Sequence, residues 1–307
     1  MDSRCWIVGS AVLDNVLAVD RLPKAGESVL ARSFDQFLGG KGVNQAVACA
    51  RHGAATEIFA CLGHDPAGDR FAGLFEAEGL GMEGVLRADG LPTGQAAIAL
   101  TPNGMNQIIV YPGSNMALPA LAIENAPIAP NDYVLCQLEV PDEVVLAASA
   151  RGRFVFNPAP YRAFPKEVLP RCFALTPNES EAESITGHSP STEEGLQRCA
   201  DSLLESGVAN VVVTLGERGV FFKNASVSRH FQAPAVDAVD TTAAGDVFNG
   251  AMIARLSLGD DIESAVAYAV DAASLSVTRA GAVPSIPDSQ QTAAFIQAKN
   301  QKMEEQI

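Results

Sequence analysis

The sequence predicts an α/β fold: a central, mostly parallel sheet with helices on both faces. Short apolar, β-rich runs alternate with helical patterns from Glu57 onward, which is the signature of βαβ units. No period suggests tandem repeats, so the alternation belongs to one wound sheet. Candidate buried strands cover residues 7–9, 56–61, 133–136, 154–157, 173–176 and 211–215, with helices between many of them, as at 67–78 and 193–206. Two stretches, 15–37 and 93–110, break the rhythm: they are extended and turn-punctuated and hold no crossover helix. From Asp246 on the chain turns helical, through 251–256, 262–277 and 289–302.

At 307 residues the chain is long enough for one large α/β domain with an appendage, or for two small domains. No uninterrupted apolar run approaches the ~20 residues needed to cross a bilayer. The opening MDSRCWIVGSAVLD reads as a first buried strand rather than a secretory signal, so a cytoplasmic protein is expected. A formal net charge of −15 argues against nucleic acid or an anionic membrane as partner, since both reward clustered Lys and Arg. An anionic nucleotide remains compatible, because a local backbone anion site with Mg²⁺ reverses the sign where it matters. The six cysteines show no CxxC pairing and sit in apolar contexts, which reads as buried reduced thiols. His52, His64, His188 and His230 are scattered without ligand spacing, against a zinc site.

Residues 240–251, DTTAAGDVFNGA, carry the most functional information. Small residues at Ala243, Ala244 and Gly245 stand directly before Asp246, where an amphipathic helix begins. They let a ligand approach the backbone, and the unpartnered N–H groups of a helix N-terminus form an anion site. A carboxylate inside that site would repel a phosphate unless it takes a proton from an attacking hydroxyl. The alternative is an ordinary N-terminal helix carboxylate. A second glycine cluster, FLGGKGVNQA at 37–46, also runs into a helix, yet matches neither the phosphate loop GxxxxGK[ST] nor the dinucleotide fingerprint GxGxxG. Asn178 and Glu181, in TPNESEAE, sit one helical turn apart at a strand-to-helix turn. They read either as ligand-facing groups or as a helix cap with a solvated acidic face.

Together these segments resemble the PfkB-type carbohydrate kinases, most nearly the ribokinase group. The first match runs from Gly39-Gly40-Lys41-Gly42-Val43-Asn44 through Gly53 to Gly63, and the second from Asp240 through Asp246 to Gly250. Between them lie GHDPAG at 63–68, QLEVP at 137–141, NPAP at 157–160, TPNESEAESITG at 176–187 and VTLGERG at 213–219; VTRAGAVPSIP at 277–287 follows. The likeness covers nearly the whole chain. It implies a single ribokinase-like kinase domain over 1–307, with a small β-sheet lid formed by about residues 12–38 and 92–111. It implies ATP as phosphoryl donor, a small sugar or nucleoside as acceptor, and Mg²⁺. Pairing of two chains through the lid would follow ribokinase-like relatives.

The resemblance also assigns roles. Asp246 becomes the general base, and the N–H groups of Ala243, Ala244 and Gly245 stabilise charge on the transferring group. Asp14, Gly40, Lys41, Asn44 and Glu139 surround the sugar, where Asp, Asn and Glu supply bidentate hydroxyl recognition. Asn178, Thr214, Gly216, Gly219 and Gly245 contact the nucleotide, and Asn178 and Glu181 orient Mg²⁺ through water. Asp240, Thr242, Ser276, Arg279, Gly281 and Ser285 match positions that hold K⁺, mostly by backbone carbonyls, in potassium-activated members. One departure concerns specificity: ribokinases usually carry Asn two residues before the lid-proximal aspartate, and here Val12 precedes Asp14. An apolar side chain cannot bond a sugar hydroxyl, which favours a deoxy sugar or a nucleoside alongside ribose. A non-catalytic sugar-binding regulator would not need the intact Asp246, Gly245, Asn178 and Glu181. A dinucleotide oxidoreductase would need GxGxxG after the first strand.

Overall fold

In a computed structural model, which describes residues 3–304, the chain builds two sheets. Residues 1–2 and 305–307 of the expected 1–307 domain lie outside the described residues. The first strand, β1 (Cys5–Val8), is buried throughout. Continuing along the chain come β2 (Val12–Val19), β3 (Ala31–Gly39), α1 (Lys41–Arg51), β4 (Thr56–Gly63), α2 (Pro66–Ala77) and β5 (Gly81–Ala88). Then follow β6 (Gly94–Leu100), β7 (Asn106–Tyr111), α3 (Ala120–Glu124), β8 (Tyr133–Cys136), α4 (Asp142–Ser149), β9 (Arg153–Phe156) and β10 (Cys172–Leu175). The C-terminal part holds α5 (Glu179–Thr186), α6 (Glu193–Glu205), β11 (Asn210–Thr214), β12 (Val220–Asn224), β13 (Ser228–Phe231), α7 (Ala244–Ser257), α8 (Ile262–Ser276) and α9 (Ser289–Glu304).

The large sheet has nine strands in the order β13-β12-β11-β10-β9-β8-β1-β4-β5. β1 pairs in parallel with β8 on one side, Cys5 opposite Tyr133, and with β4 on the other, Cys5 opposite Thr56. The strand order therefore reverses beside β1. At such a reversal the helices diverge to opposite faces and leave a crevice beyond the carboxyl ends of the strands. Successive β1 side chains face opposite cores, as a period of two demands. Cys5 and Ile7 join the core under α1, α2, α7 and α8, whereas Trp6 and Val8 join the one that contains residues of α3, α4 and α6. All six cysteines are buried and free.

The predicted parallel sheet is extended by an antiparallel hairpin, β12 and β13, that the sequence reading leaves unassigned. Its tight entry explains Gly219: φ is 88°, and a Cβ there would stand 2.0 Å from Phe231 O.

The two rhythm-breaking stretches form the second sheet, four strands in the order β3-β2-β6-β7. Within them, 20–30 and 101–105 connect strands and are not strands themselves. The crossings between the sheets are clamped by buried polar groups. Asn115 donates to Ala11 O and accepts from Ala11 N, each at 2.9 Å, in the manner of a strand neighbour. Asp65, from GHDPAG, accepts from Gly68 N at 2.8 Å, Thr93 N at 2.7 Å and Thr93 Oγ1 at 2.7 Å. It thus caps α2 and anchors the approach to β6 at once.

Candidate active site

Glu139, Asn178 and Gly216 lie just beyond the carboxyl ends of β8, β10 and β11, and Thr214 ends β11, while Gly40, Lys41 and Asn44 stand at the start of α1, which follows β3 of the small sheet. The glycine cluster 39–42 allows one such approach. Gly40 caps α1 at φ 93°, and a Cβ there would meet Val12 N at 2.7 Å and Ser10 O at 2.9 Å. At Gly42 a Cβ would stand 2.4 Å from Ser10 N. The N-terminus of α1 thus lies directly on the turn that follows β1.

α7 is capped by Ala243, whose φ of 63° makes it the one non-glycine residue with positive φ among the described residues. Such a left-handed conformation is strained for alanine and is kept where the surroundings impose it. The Ala244 N–H donates to Thr241 O at 3.3 Å, so one of the three expected anion-site donors already has a partner, in the turn three residues back. Gly245 faces open space, with nothing within 4 Å of a built Cβ. Five residues on, Gly250 is the opposite case: a Cβ would stand 2.5 Å from Gln45 O and 2.9 Å from Cys49 N. Gly250 lets α1 and α7 touch backbone to backbone.

That contact brings Asp246 against α1. Asp246 is buried; its Oδ2 accepts from Asn44 Nδ2 and its Oδ1 from Gln45 Nε2, both at 3.0 Å. Behind Gln45 stand Asn157, 3.1 Å from Nε2 through Oδ1, and Gln137, whose Nε2 donates to Gln45 Oε1. Thr176 and Asn249 extend the network to the Gly245 carbonyl.

On the acceptor side, Glu139 Oε2 accepts from Lys41 N at 3.1 Å and from Ser10 Oγ. Arg162 grips the turn carrying Glu139, donating to Leu138 O at 3.1 Å and Val140 O at 2.7 Å. Burial, reinforced by the nearby Glu139 carboxylate, pushes the Asp14 carboxyl up to about 6. The Lys41 ammonium is held above its ordinary value foremost by Asp246, with Glu139 and Glu181 adding and burial opposing. Lys41 therefore stands among three carboxylates brought from three elements.

Beyond Lys41 and Asp246 opens a cavity of about 1320 Å³, lined by Asn178, Thr214, Gly216, Gly219 and Gly245 among others. The expected nucleotide residues thus share one wall. Its size suits a nucleotide-sized ligand. Asn178 and Glu181 form a reciprocal cap on α5: Glu181 N donates to Asn178 Oδ1 at 2.9 Å, and Asn178 N to Glu181 Oε2 at 2.8 Å. Burial raises the Glu181 carboxyl, while the Asn178 N–H and Lys41 draw it back. The capping role is realised, and it leaves Asn178 Nδ2 and Glu181 Oε1 outside the cap.

Over residues 2–289 the sequence matches the pfkB family carbohydrate kinases. The chain belongs to that family. It is 35% identical over 298 residues to the ribokinase of Haemophilus influenzae, covering 95% of this chain and 97% of that one. To the deoxyribokinase of Salmonella typhimurium it is 32% identical over 293 residues, 93% of this chain and 96% of the other. Among solved structures, Thermotoga maritima ribokinase superposes with a TM-score of 0.88 at 38% identity, covering 96% of this chain and 99% of that one. Arabidopsis thaliana ribokinase complexed with ribose and ATP gives 0.87 at 31%, again over 96% and 99%.

As a member of this family the protein is a sugar kinase with the ribokinase-like fold, as the sequence reading expects. No described helix is long and apolar enough to cross a membrane. Sequence reasoning gives no role to Ser10, Gln45, Asn157 or Arg162, which act on the named residues rather than in their place. For Gln45 and Asn157 the signal is present, since both stand in the matched segments GGKGVNQA and NPAP.

The segments expected to hold a monovalent cation come together beneath the Ala243 turn. Asp240 Oδ1 accepts from Thr242 N at 2.9 Å and Oδ2 from Gly281 N at 2.8 Å, while Asp240 N donates to Val277 O at 3.1 Å. The Ser276 and Ser285 hydroxyls bond the carbonyls of Ala273 and Ala282, and Arg279 turns outward to Gln291. Each of these side chains thus already has a hydrogen-bond partner within the protein. Among the described residues, no group of three or more His, Cys, Asp or Glu is arranged to hold a metal.

Proposed function

We propose that this kinase transfers the γ-phosphoryl group of ATP to the primary hydroxyl of a pentose, ribose or a deoxy relative, with Asp246 as general base. The observation that carries the reading is the position of Asp246. Its carboxylate lies at the start of α7, between the acceptor residues of β2, α1 and the 137–141 turn and the cavity lined by Asn178, Thr214 and Gly245. The names of the ribokinase and deoxyribokinase relatives supply the substrate class.

In this mechanism Asp14, Asn44 and Glu139 hold the sugar hydroxyls, Asn44 through an Oδ1 that is buried without a partner in the protein. Asp246 orients the attacking hydroxyl and receives its proton as the O–P bond forms and the bond to ADP breaks. Lys41 and the N–H groups at the start of α7 stabilise the phosphoryl oxygens. Gly245 has no packing neighbour that explains it, so the space beside it serves the phosphates. Asn178 and Glu181 fit the outer coordination of Mg²⁺, which, when bound, neutralises charge on the nucleotide phosphates. K⁺ under the Ala243 turn would fix the anion site from beneath.

The small sheet acts as a lid that keeps water from the phosphoryl group. Phe34, Ile108, Ile109 and Tyr111 are exposed on it, and a second copy of the chain would cover them in a lid-to-lid dimer. The reading is tested by ADP release from Mg-ATP with ribose, 2-deoxyribose, fructose or adenosine offered in turn. Turnover on either pentose is expected. Turnover with adenosine alone would replace the pentose reading by a nucleoside kinase, and none with any acceptor would favour a sugar-binding regulator.

A further inference from the structure

Gln45 is fully buried, and its amide has a donor or acceptor partner at every turn. The polarity of this network can be read from its far end, where a backbone carbonyl can only accept. Thr176 O receives Asn157 Nδ2 at 2.8 Å, so Asn157 Oδ1 faces Gln45. Gln45 must then present its NH₂ to Asn157 and, through the same nitrogen, to Asp246 Oδ1. Gln137 closes the other side by donating to Gln45 Oε1. A proton on the Oδ1 lone pair that faces Gln45 would set a donor against a donor in a dry site, and a buried polar group left unpaired is strongly disfavoured.

We propose that Gln45 is a positioning residue for the base: it reserves Asp246 Oδ1 as an acceptor, so that the hydroxyl proton of the sugar goes to Oδ2. This rests on the reading of Asp246 as the base. Oδ2 lies on the Asn44 side, and the Asn44 amide is not anchored as Gln45 is: its Nδ2 bonds Oδ2 while its own Oδ1 has no partner in the protein, so it is free to turn as the proton arrives. The balance is simple. One O–H bond of the sugar breaks, one forms at Oδ2, and no group beyond the kinase reaction is needed.

Three variants test it. Gln45→Met keeps the volume and removes the donor. It is expected to lower kcat about ten- to a hundredfold, the loss typical of a hydrogen bond to a charged group, while KM for sugar and for ATP stays within about twofold. Gln45→Glu should fall below Gln45→Met, because two carboxylates facing each other must share a proton and Oδ1 is then occupied by it. Gln137→Met, which does not touch Asp246, frees the Gln45 amide to turn and should lower kcat by a smaller factor in the same direction. It stands in if Gln45→Met fails to fold. Wild-type kcat in folded Gln45→Met, or in folded Gln137→Met should Gln45→Met not fold, overturns the positioning role. Gln45→Glu equal to or faster than Gln45→Met overturns the reservation of Oδ1. Asp246→Asn separates the two readings: if it is inactive while Gln45→Met is unaffected, the base stands and only this inference falls.

Discussion

The α1–α7 contact and the small sheet both carry residues of the proposed acceptor site, and they are built in opposite ways. Between α1 and α7 the backbones touch at Gly250, residues 42–49 and 246–254 are buried, and Asp246 is held by two amides. In the small sheet β7 is exposed at all six positions, and Asp14 is one of its few charged groups drawn inward. Proton transfer needs atoms held to within tenths of an ångström, and only a packed, hydrogen-bonded contact supplies that. Admission of a sugar needs an element that can move, which a sheet clamped at its crossings by Asn115 and Asp65, and otherwise tied to α2 by an exposed Arg70–Gln36 hydrogen bond, is suited to do. The proposed base therefore sits on the rigid side, and part of the proposed recognition on the movable side.

The largest way to test that division is Asp246→Asn, which keeps the shape and removes the proposed base. Turnover should fall ~10²–10⁴-fold, the usual range for general-base catalysis, with ATP binding retained. Near wild-type kcat on the best sugar would move the base elsewhere.

Two glycines of α7 sharpen the same side. Gly250→Ala places a methyl against the α1 backbone and should destabilise the protein by about 1–3 kcal/mol, as overpacking does, seen as a lower thermal midpoint. Gly245→Ala meets no protein atom and should leave that midpoint unchanged or slightly raised, yet impair phosphoryl transfer. If Gly245→Ala turned over normally, the space beside it would not be the phosphate site.

Why these parts differ in legibility follows from their physics. Six of the nine strands of the large sheet are readable because strands buried on both faces are apolar runs, as CWIV and YVLC are, whereas the edge strand β5, GMEGVLRA, is only partly buried and carries no such run. The hairpin β12–β13 escapes because its exposed second strand, SRHF, has no such run. Asp246, Lys41 and Asn178 stand in local motifs and can be named from sequence. The partners Gln45, Asn157 and Gln137 become a unit only through contacts across 92 to 201 residues of sequence separation, which no local pattern encodes. The αL turn at Ala243 is likewise imposed by its surroundings, since nothing in alanine asks for it.

On the movable side, Asp14 should give the pentose KM a pH dependence. With its carboxyl pushed up to about 6, the acceptor form is lost as pH falls through 6, and KM should rise there while ATP KM does not. Stability runs the other way. A carboxyl raised by burial stabilises the fold fully below its ordinary 3.8, and that contribution is lost as pH rises through about 6. Asp14→Asn should therefore weaken sugar binding at neutral pH while keeping or raising the thermal midpoint. A pentose KM that is flat from pH 5 to 8 would remove Asp14 from the binding site.

The smallest expected effect is at Val12, two residues before Asp14 and so on the same face of β2. Val12 is buried and opens the strand beside Gly39 and Gly94, at the crossing between the sheets. A site built to hydrogen-bond a hydroxyl rejects the analogue lacking it by up to ~10⁴–10⁵, whereas an apolar wall discriminates against an added hydroxyl by only ~10² or less. With Val12 in place, 2-deoxyribose should be phosphorylated with kcat/KM within about two orders of magnitude of ribose, or better than ribose. Val12→Asn should move the ratio toward ribose by roughly 1 kcal/mol or more, the net worth of one hydrogen bond, with kcat for ribose little changed because Asp246 and its amides lie on the rigid side. A wild-type preference for ribose far beyond that bound, or an unmoved ratio in Val12→Asn, would take sugar selection away from β2 and assign it to α1 and the turn that carries Glu139.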